Sequence, residues 1–405
     1  MFVALCQSIA ILLLIAIGHL GVWVAAYNRI NATGFNRIAI KRIEILIVVT
    51  CVWIPLALIG LELYRLGSEG LLKSLFPTDW SQWSLCTQIY CCLVILGAIV
   101  MTPDWILDRP FFATAGKRFR VTQRQIVNHP SENATTLEDY IVSPSFRKMA
   151  RLPRNEVASL ERNVKRLALA GLPTDLEGLR IAHLSDIHLT GKMATSYYRL
   201  VMDWVMAEKP DLIVIAGDIV DYAHALPMID SVFEKLEAPM GKFFVIGNHD
   251  RRLETPTLVC ERMESLAWVD LGRMDKIITH GSTKIRLIGN ERPWFHRNAN
   301  AERLRLQSSD CSREWRIGVS HSPDQIRWGY QQACKLLLCG HTHGGQIRFP
   351  VIGPVISPSW YGSRYASGVF ERQCTLMHVS RGVSGVHPFR WGCLPEATIL
   401  ELSRK

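Results

Sequence analysis

Three stretches near the start of the chain, Val3 to Tyr27, Ile45 to Leu61 and Trp80 to Pro103, run without a single Asp, Glu, Lys or Arg. A helix rises about 1.5 Å per residue and the hydrocarbon core of a bilayer is roughly 30 Å thick, so about 20 such residues cross it. The pattern predicts three spanning helices. The middle one is the shortest and carries Pro55, so a re-entrant or buried helix is its other reading. From Leu179 onward the texture changes to short apolar runs that end in small or polar residues: Leu179 to Leu184, Leu212 to Ala216, Phe243 to Ile246, Lys284 to Ile288, Arg316 to Val319 and Leu336 to Cys339. Helical patterns such as Ala194 to Glu208 and Met228 to Glu237 alternate with them. Strands alternating with helices predict an α/β layered domain with its sites at the carboxyl ends of the strands.

Composition adds an organisation. Ser131 to Arg154 mixes polar, proline and basic residues as linkers do, which divides the chain into a transmembrane region over 1–108, a basic juxtamembrane linker over 109–178 and a third domain over 179–405. The formal net charge is +10, and its location matters more than its size. Between Arg109 and Arg166 twelve Lys and Arg face five Asp and Glu, a composition that suits anionic lipid headgroups, each cation contributing on the order of 1 kcal/mol near the surface. A nucleic-acid partner is not expected, because no interleaving of aromatic and basic residues marks a single-strand track.

Short cytoplasmic loops are enriched in Lys and Arg. Arg29, Arg37, Lys41 and Arg42 follow the first span, Arg109, Lys117, Arg118, Arg120 and Arg124 follow the third, and the loop between the second and third is balanced by Glu62, Glu69 and Asp79. The expected protein is therefore a multi-pass one of the inner (cell) membrane, with its amino terminus outside and its large domain cytoplasmic. Met1 to Ser8 has no basic residue, so the first span reads as retained and not as a cleaved signal peptide. Trp80, Trp83 and Trp105 flank the last span like an interfacial belt. Of the 11 cysteines, the later ones show no paired C-x-x-C spacing, which fits a reducing compartment.

The candidate chemistry sits where the apolar runs end. These ends carry Asp186-Ile187-His188, Gly217-Asp218, Gly247-Asn248-His249-Asp250, His321 and Gly340-His341-Thr342-His343. A lone Asp-x-His triplet is common and a lone His near a strand is usually structural, but here ligand types recur at one position in successive strands. Oxygen and imidazole donors together suit Mn, Fe, Zn or Co, unlike the all-oxygen sites of Ca.

In these blocks and their order, the chain resembles the calcineurin-like metallophosphoesterase superfamily, over about Leu179 to Leu402. Ser320-His321-Ser322-Pro323-Asp324 and Gly340-His341-Thr342-His343-Gly344-Gly345-Gln346 resemble its membrane-associated bacterial branch. The resemblance implies a layered β-sandwich flanked by helices and two divalent metal ions. Asp186, His188, Asp218 and His343 would hold one, and Asp218, Asn248, His321 and His341 the other, with Asp218 shared. It further implies hydrolysis by a metal-bound hydroxide, with His249 as general acid or transition-state stabiliser and Asp250 orienting it.

Other residues have plainer readings. His183 and His378 lie inside apolar runs and read as core histidines, and Cys339 as a buried small hydrophobe. Arg364, Arg381, His387 and Arg390 are surface charges or contacts to a substrate phosphate. Tethering to the inner leaflet favours a lipid-linked phosphodiester or pyrophosphate, and the resemblance of the Gly340 to Gly345 block to a branch of the superfamily that includes such hydrolases implies UDP-2,3-diacylglucosamine of lipid A synthesis as the candidate. A general phosphodiesterase or phosphatase on soluble substrates and a non-hydrolytic metal-dependent interaction module are the alternatives.

Overall fold

The computed structural model describes residues 2–76, 78–107, 119–127, 140–297 and 314–405. They belong to two compact units, Met1–Phe112 and Ala113–Lys405.

The first unit consists of α1 (Phe2–Asn31), α2 (Arg37–Leu75) and α3 (Leu85–Leu107), three helices long and apolar enough to cross a membrane. Leu13, Leu20, Val52, Trp53 and Leu93 point outward, as side chains do where the solvent is lipid. The middle helix, expected to be the shortest, is the longest at 39 residues, because the charged sequence on both sides of its apolar window continues the same helix. Pro55 lies inside it, and the backbone leaves helical angles only at Gly67. Trp83 is not an interfacial anchor: its ring is buried and its Nε1 donates to Ser74 Oγ at 3.0 Å. The side chain of Trp105, together with Arg109, Lys117 and Arg118, lies outside the described residues.

In the second unit the strands are β1 (Phe119–Val127), β2 (Leu160–Leu169), β3 (Arg180–Leu184), β4 (Leu212–Ala216), β5 (Lys242–Val245), β6 (Trp268–Asp270), β7 (Lys276–His280), β8 (Thr283–Asn290), β9 (Glu314–Ser320), β10 (Leu336–Cys339), β11 (Arg348–Phe349), β12 (Gly353–Pro354), β13 (Gly368–Arg372), β14 (Thr375–Val379) and β15 (Glu396–Arg404). Among the described residues a seven-stranded sheet runs β1-β2-β15-β3-β4-β5-β6 and a six-stranded sheet runs β13-β14-β10-β9-β8-β7. Apolar residues alternate into a shared core: Leu167, Ile181, Val214 and Phe243 from the first sheet meet Leu287, Ile317 and Leu338 from the second. Helices Thr195–Ala207, Met228–Phe233 and Thr257–Ser265 cover the other face of the first sheet through Tyr198, Val201, Phe233 and Met263. The architecture is the expected layered β-sandwich flanked by helices.

Within the range expected to be a linker, 119–127 and 160–169 are strands of the sandwich. β2 is parallel to the carboxy-terminal strand β15, pairing Glu161 with Glu396 through Leu169 with Arg404, and β1 closes the edge antiparallel to β2. β2 was hidden because polar Glu161, Asn163 and Lys165 interrupt its apolar pattern, yet all three are buried. Lys165 Nζ donates to Glu396 Oε2 at 3.3 Å and to His378 Nε2 at 2.9 Å. His378 must then carry its hydrogen on Nδ1, which donates to His183 Nδ1 at 2.7 Å and leaves the buried His183 Nε2–H without a partner. Burial pushes His183 down to about 3, so both rings serve the core as neutral groups. Arg381 completes the cluster, reaching Glu396 at 2.8 Å and Glu161 at 2.9 Å. Its guanidinium is committed to these two carboxylates and is not a free surface charge.

Glu396 therefore offsets two buried cations, and removing one partner of a buried pair costs about 3–5 kcal/mol. Glu396→Ala is expected to lower stability by about that much, read as a fall in the thermal midpoint of the detergent-solubilised chain; Glu314→Ala, on a half-exposed pair with Arg286, is expected to cost under about 1 kcal/mol.

Candidate metal centre

Parallel pairing of β3 with β4 and β4 with β5, and of β9 with β10, brings the carboxyl ends of five strands to the same edge of the sandwich. The residues that follow those strands are Asp186, Asp218, Asn248, His321 and His341. Asp186, His188, Asp218, His341 and His343 all hold left-handed backbone angles, with φ between 49° and 73°. Each such non-glycine position costs about 1 kcal/mol or more, which is typical of turns held to aim a functional side chain. Close approach explains two neighbours: a Cβ on Gly247 would lie 2.3 Å from Asp218 Oδ1, and one on Gly340 would lie 2.5 Å from Asp186 Oδ2.

Donor atoms converge in three groups whose members lie within 4.8 Å of one another: Asp186, His188 and His343; Asp218, His321 and His341; and His188, Asp221 and His249. The first two share no member, but Asp218 lies against both, its Oδ2 being 3.2 Å from His321 Nε2 and 3.6 Å from His188 Nε2. Asn248 joins through Oδ1, 3.1 Å from His321 Nε2. The structure thus brings together all seven residues expected to ligate metal.

The hydrogen-bond roles show what such a cluster demands. His321 Nδ1 lies 2.7 Å from the Ala216 carbonyl, which can only accept, so Nδ1 carries the hydrogen and the Nε2 lone pair faces Asp218 and Asn248 oxygens. His188 Nδ1 donates to Asp221 Oδ2 at 2.8 Å, which likewise turns its Nε2 lone pair toward Asp218 and His343. His341 Nε2 is buried without a hydrogen-bond partner. Lone pairs pointed at carboxylate oxygens repel unless a cation lies between them, so this donor set fits divalent ions. His321 shows the same demand for positive charge: burial disfavours its protonated form, but Asp218 and Asp186 outweigh that and lift it to about 9. His343 needs one adjustment, since Arg390 Nη2 donates to its Nδ1 at 3.1 Å. A ligating Nε2 requires the ring hydrogen on Nδ1, with Arg390 keeping its bonds to Ser384 and Arg381 carbonyls. Arg390 is 1% exposed, so it is no surface charge.

Asp250 does not orient His249. Its carboxylate accepts from the backbone N–H groups of Ile219, Val220 and Gly247 at 2.8–3.2 Å, locking the turn after β4 to the turn after β5. The orienting carboxylate is Asp221, which receives Nδ1–H from both His188 and His249. Burial alone would raise Asp221, but the two imidazoles hold it well below the usual carboxylate range. Sequence reasoning passed over it, although Asp218-Ile219-Val220-Asp221 places a second carboxylate three residues past the first. His249 Nε2 lies 4.0 Å from Asp218 Oδ2 and accepts from Arg252 at 2.6 Å, and burial lowers the ring to about 4, so it is neutral near pH 7.

The same residues are similar in sequence to known proteins. The model of calcineurin-like phosphoesterases matches residues 179–345. The metallophosphoesterase YkuE of Bacillus subtilis is 32% identical over 238 residues, 57% of this chain and 81% of the relative. Phosphodiesterase YaeI of Escherichia coli is 28% identical over 229 residues, 55% of this chain and 82% of the relative. The UDP-2,3-diacylglucosamine pyrophosphatase LpxG of Chlamydia trachomatis is 23% identical over 277 residues, 56% of this chain and 84% of the relative. With strand-end turns, donor set and similarity over the same residues in agreement, this chain belongs to the calcineurin-like phosphoesterases.

Proposed function

We propose that the protein is a membrane-anchored two-metal phosphoesterase that hydrolyses a phosphodiester or pyrophosphate linked to a membrane lipid. The observation that carries the two-metal reading is Asp218: one buried carboxylate within 3.6 Å of imidazoles from both donor groups, as a shared ligand must be. In this reading Asp186, His188, Asp218 and His343 hold one ion, and Asp218, Asn248, His321 and His341 the other. Bound there, divalent ions such as Mn, Fe, Zn or Co would supply an activated water and neutralise charge on the phosphoryl oxygens.

The chain's own residues supply the rest. Asp221 fixes the ring of His249 so that only Nε2 is turned to substrate. An incoming phosphate takes the donors of Arg252 that now rest on that nitrogen, and its negative charge favours the imidazolium form of His249, which takes a proton from solvent on Nε2 and passes it to the leaving oxygen. Asp250 keeps the two turns in register and does not touch the reacting atoms. Lipid linkage is supported by the three apolar helices, by the basic composition after the third, and by the similarity to the UDP-2,3-diacylglucosamine pyrophosphatase LpxG, which makes UDP-2,3-diacylglucosamine the first candidate. The charge pattern supports a cytoplasmic second unit at the inner membrane. Action on soluble substrates is the second reading, and the name of phosphodiesterase YaeI favours a phosphodiester as the bond in either reading.

Three outcomes test this. Dialysis against a chelator is expected to abolish hydrolysis of bis-nitrophenyl phosphate by the full chain in detergent, and added Mn to restore it; calorimetric titration then gives two sites, and Asp218→Asn weakens both. His249→Ala is expected to lower kcat by about 10²- to 10⁴-fold with metal content unchanged. Asp221→Asn, which removes the carboxylate orienting one ligand histidine and His249, is expected to weaken metal binding by about 10- to 100-fold as well as lower kcat; full activity and affinity in that variant would remove Asp221 from the centre.

A further inference from the structure

Directly after the last metal block, the chain carries apolar side chains that the core does not use. β11 and β12 pair Arg348 with Pro354 and Phe349 with Gly353, forming a short hairpin whose tip is Pro350-Val351-Ile352. Val351 is 88% exposed, and Phe349, Ile352, Ile356, Trp360 and Tyr361 are exposed beside it in sequence. Water-soluble surfaces seldom spend so many large apolar residues in one segment without a partner.

The segment is held open by specific bonds. Asp324, three residues after His321, accepts from Ser359 Oγ at 2.5 Å and from the Trp360 N–H at 2.7 Å, while Ser357 and Ser359 are fully buried. At its other end Arg348 N–H donates to the Trp391 carbonyl at 2.8 Å, and the rings of Phe349 and Trp391 meet edge to face. The same carboxylate turn that follows one candidate ligand therefore fixes the apolar segment that follows two others.

We infer that residues 347–361 form a bilayer-docking surface at the rim of the metal centre. It extends the reading of this site as one that works on membrane-resident phosphates. Three observations select a lipid surface as the occupant. The chain carries three helices apolar enough to cross a membrane, so this unit is tethered within reach of a bilayer. From Gly340 to Phe370 there is no Asp or Glu, while Arg348 and Arg364 flank the apolar residues, a charge balance complementary to anionic headgroups. Trp360 and Tyr361 join an apolar body to a polar tip, the side-chain type that settles at membrane–water interfaces. Inserting the hairpin tip among headgroups would bring a lipid's phosphate to the metal centre without extracting its acyl chains into water.

The full chain, reconstituted in phosphatidylcholine vesicles containing phosphatidylglycerol and a diazirine-bearing phospholipid, is irradiated and its labelled peptides are mapped. Label is expected in the segment 347–361 as well as in α1, α2 and α3. In Val351→Asp/Trp360→Ser it is expected to fall at least fivefold in that segment and to persist in the helices, which report correct insertion. In detergent this variant is expected to hydrolyse bis-nitrophenyl phosphate within twofold of wild type, which shows that the second unit is folded. An unlabelled segment beside labelled helices, equal labelling in the variant, or crosslinks from the segment to a second copy of the chain would overturn the inference. Absent hydrolysis in both chains would count against the proposed chemistry alone, because labelling needs no turnover.

Discussion

Carboxylates removed from water are costly, each by several kcal/mol even after relaxation, and the second unit is arranged around neutralising a few of them. Asp186 and Asp218 are 0% and 1% exposed. Their close partners are imidazoles, whose protonation or ligation supplies positive charge, together with backbone N–H groups of the surrounding turns: His341 N–H donates to Asp186 at 3.1 Å and His249 N–H to Asp218 at 2.7 Å. His341, like Asp186 and Asp218, sits at left-handed backbone angles, and such strain persists only where surrounding structure over-determines it. The parallel strands with fully buried runs, Leu212 to Ala216 and Leu336 to Cys339, are that structure.

Behind the centre a second set of buried charges is closed on itself. Glu396, Lys165, Arg381 and Glu161 neutralise one another at the junction of β2 and β15, and Arg381 joins this set to the metal edge through its carbonyl, which accepts from Arg390, which in turn meets His343. Two families of buried ions thus lie within one sandwich, one compensated by opposite side-chain charges and a backbone N–H, and one whose lone pairs are left facing each other. That difference separates a structural network from a site built for added cations.

Within the centre, two adjacent carboxylates divide the labour. Asp250 spends its oxygens on backbone amides, which holds the strand-end turns in register, while Asp221 spends its own on two imidazoles. Exchange of these roles could not be read from adjacency to His249, because the side chain of Asp250 leaves a 3₁₀ turn on the side facing Ile219 and Val220.

The spans, the strands β3, β4, β5, β8, β9 and β10, and the residues at their ends were legible in sequence because each is a local pattern: a charge-free run, or an apolar run ended by a small residue and a donor. Asp218 and His343 were recognisable as chemistry-bearing for the same reason. The partnership of β2 with β15 was not legible, since it joins residues over two hundred positions apart and its buried polar side chains are paid for by partners on other strands. Neither was the duty of Asp221, nor the burial of Arg390 beneath His343, because a carboxylate or guanidinium looks the same in sequence whether it faces water or a ring. Periodicity and residue type determine which elements form and where donors sit along the chain; only packing decides which of them meet, as the free energy of a buried polar group depends on the atom opposite it.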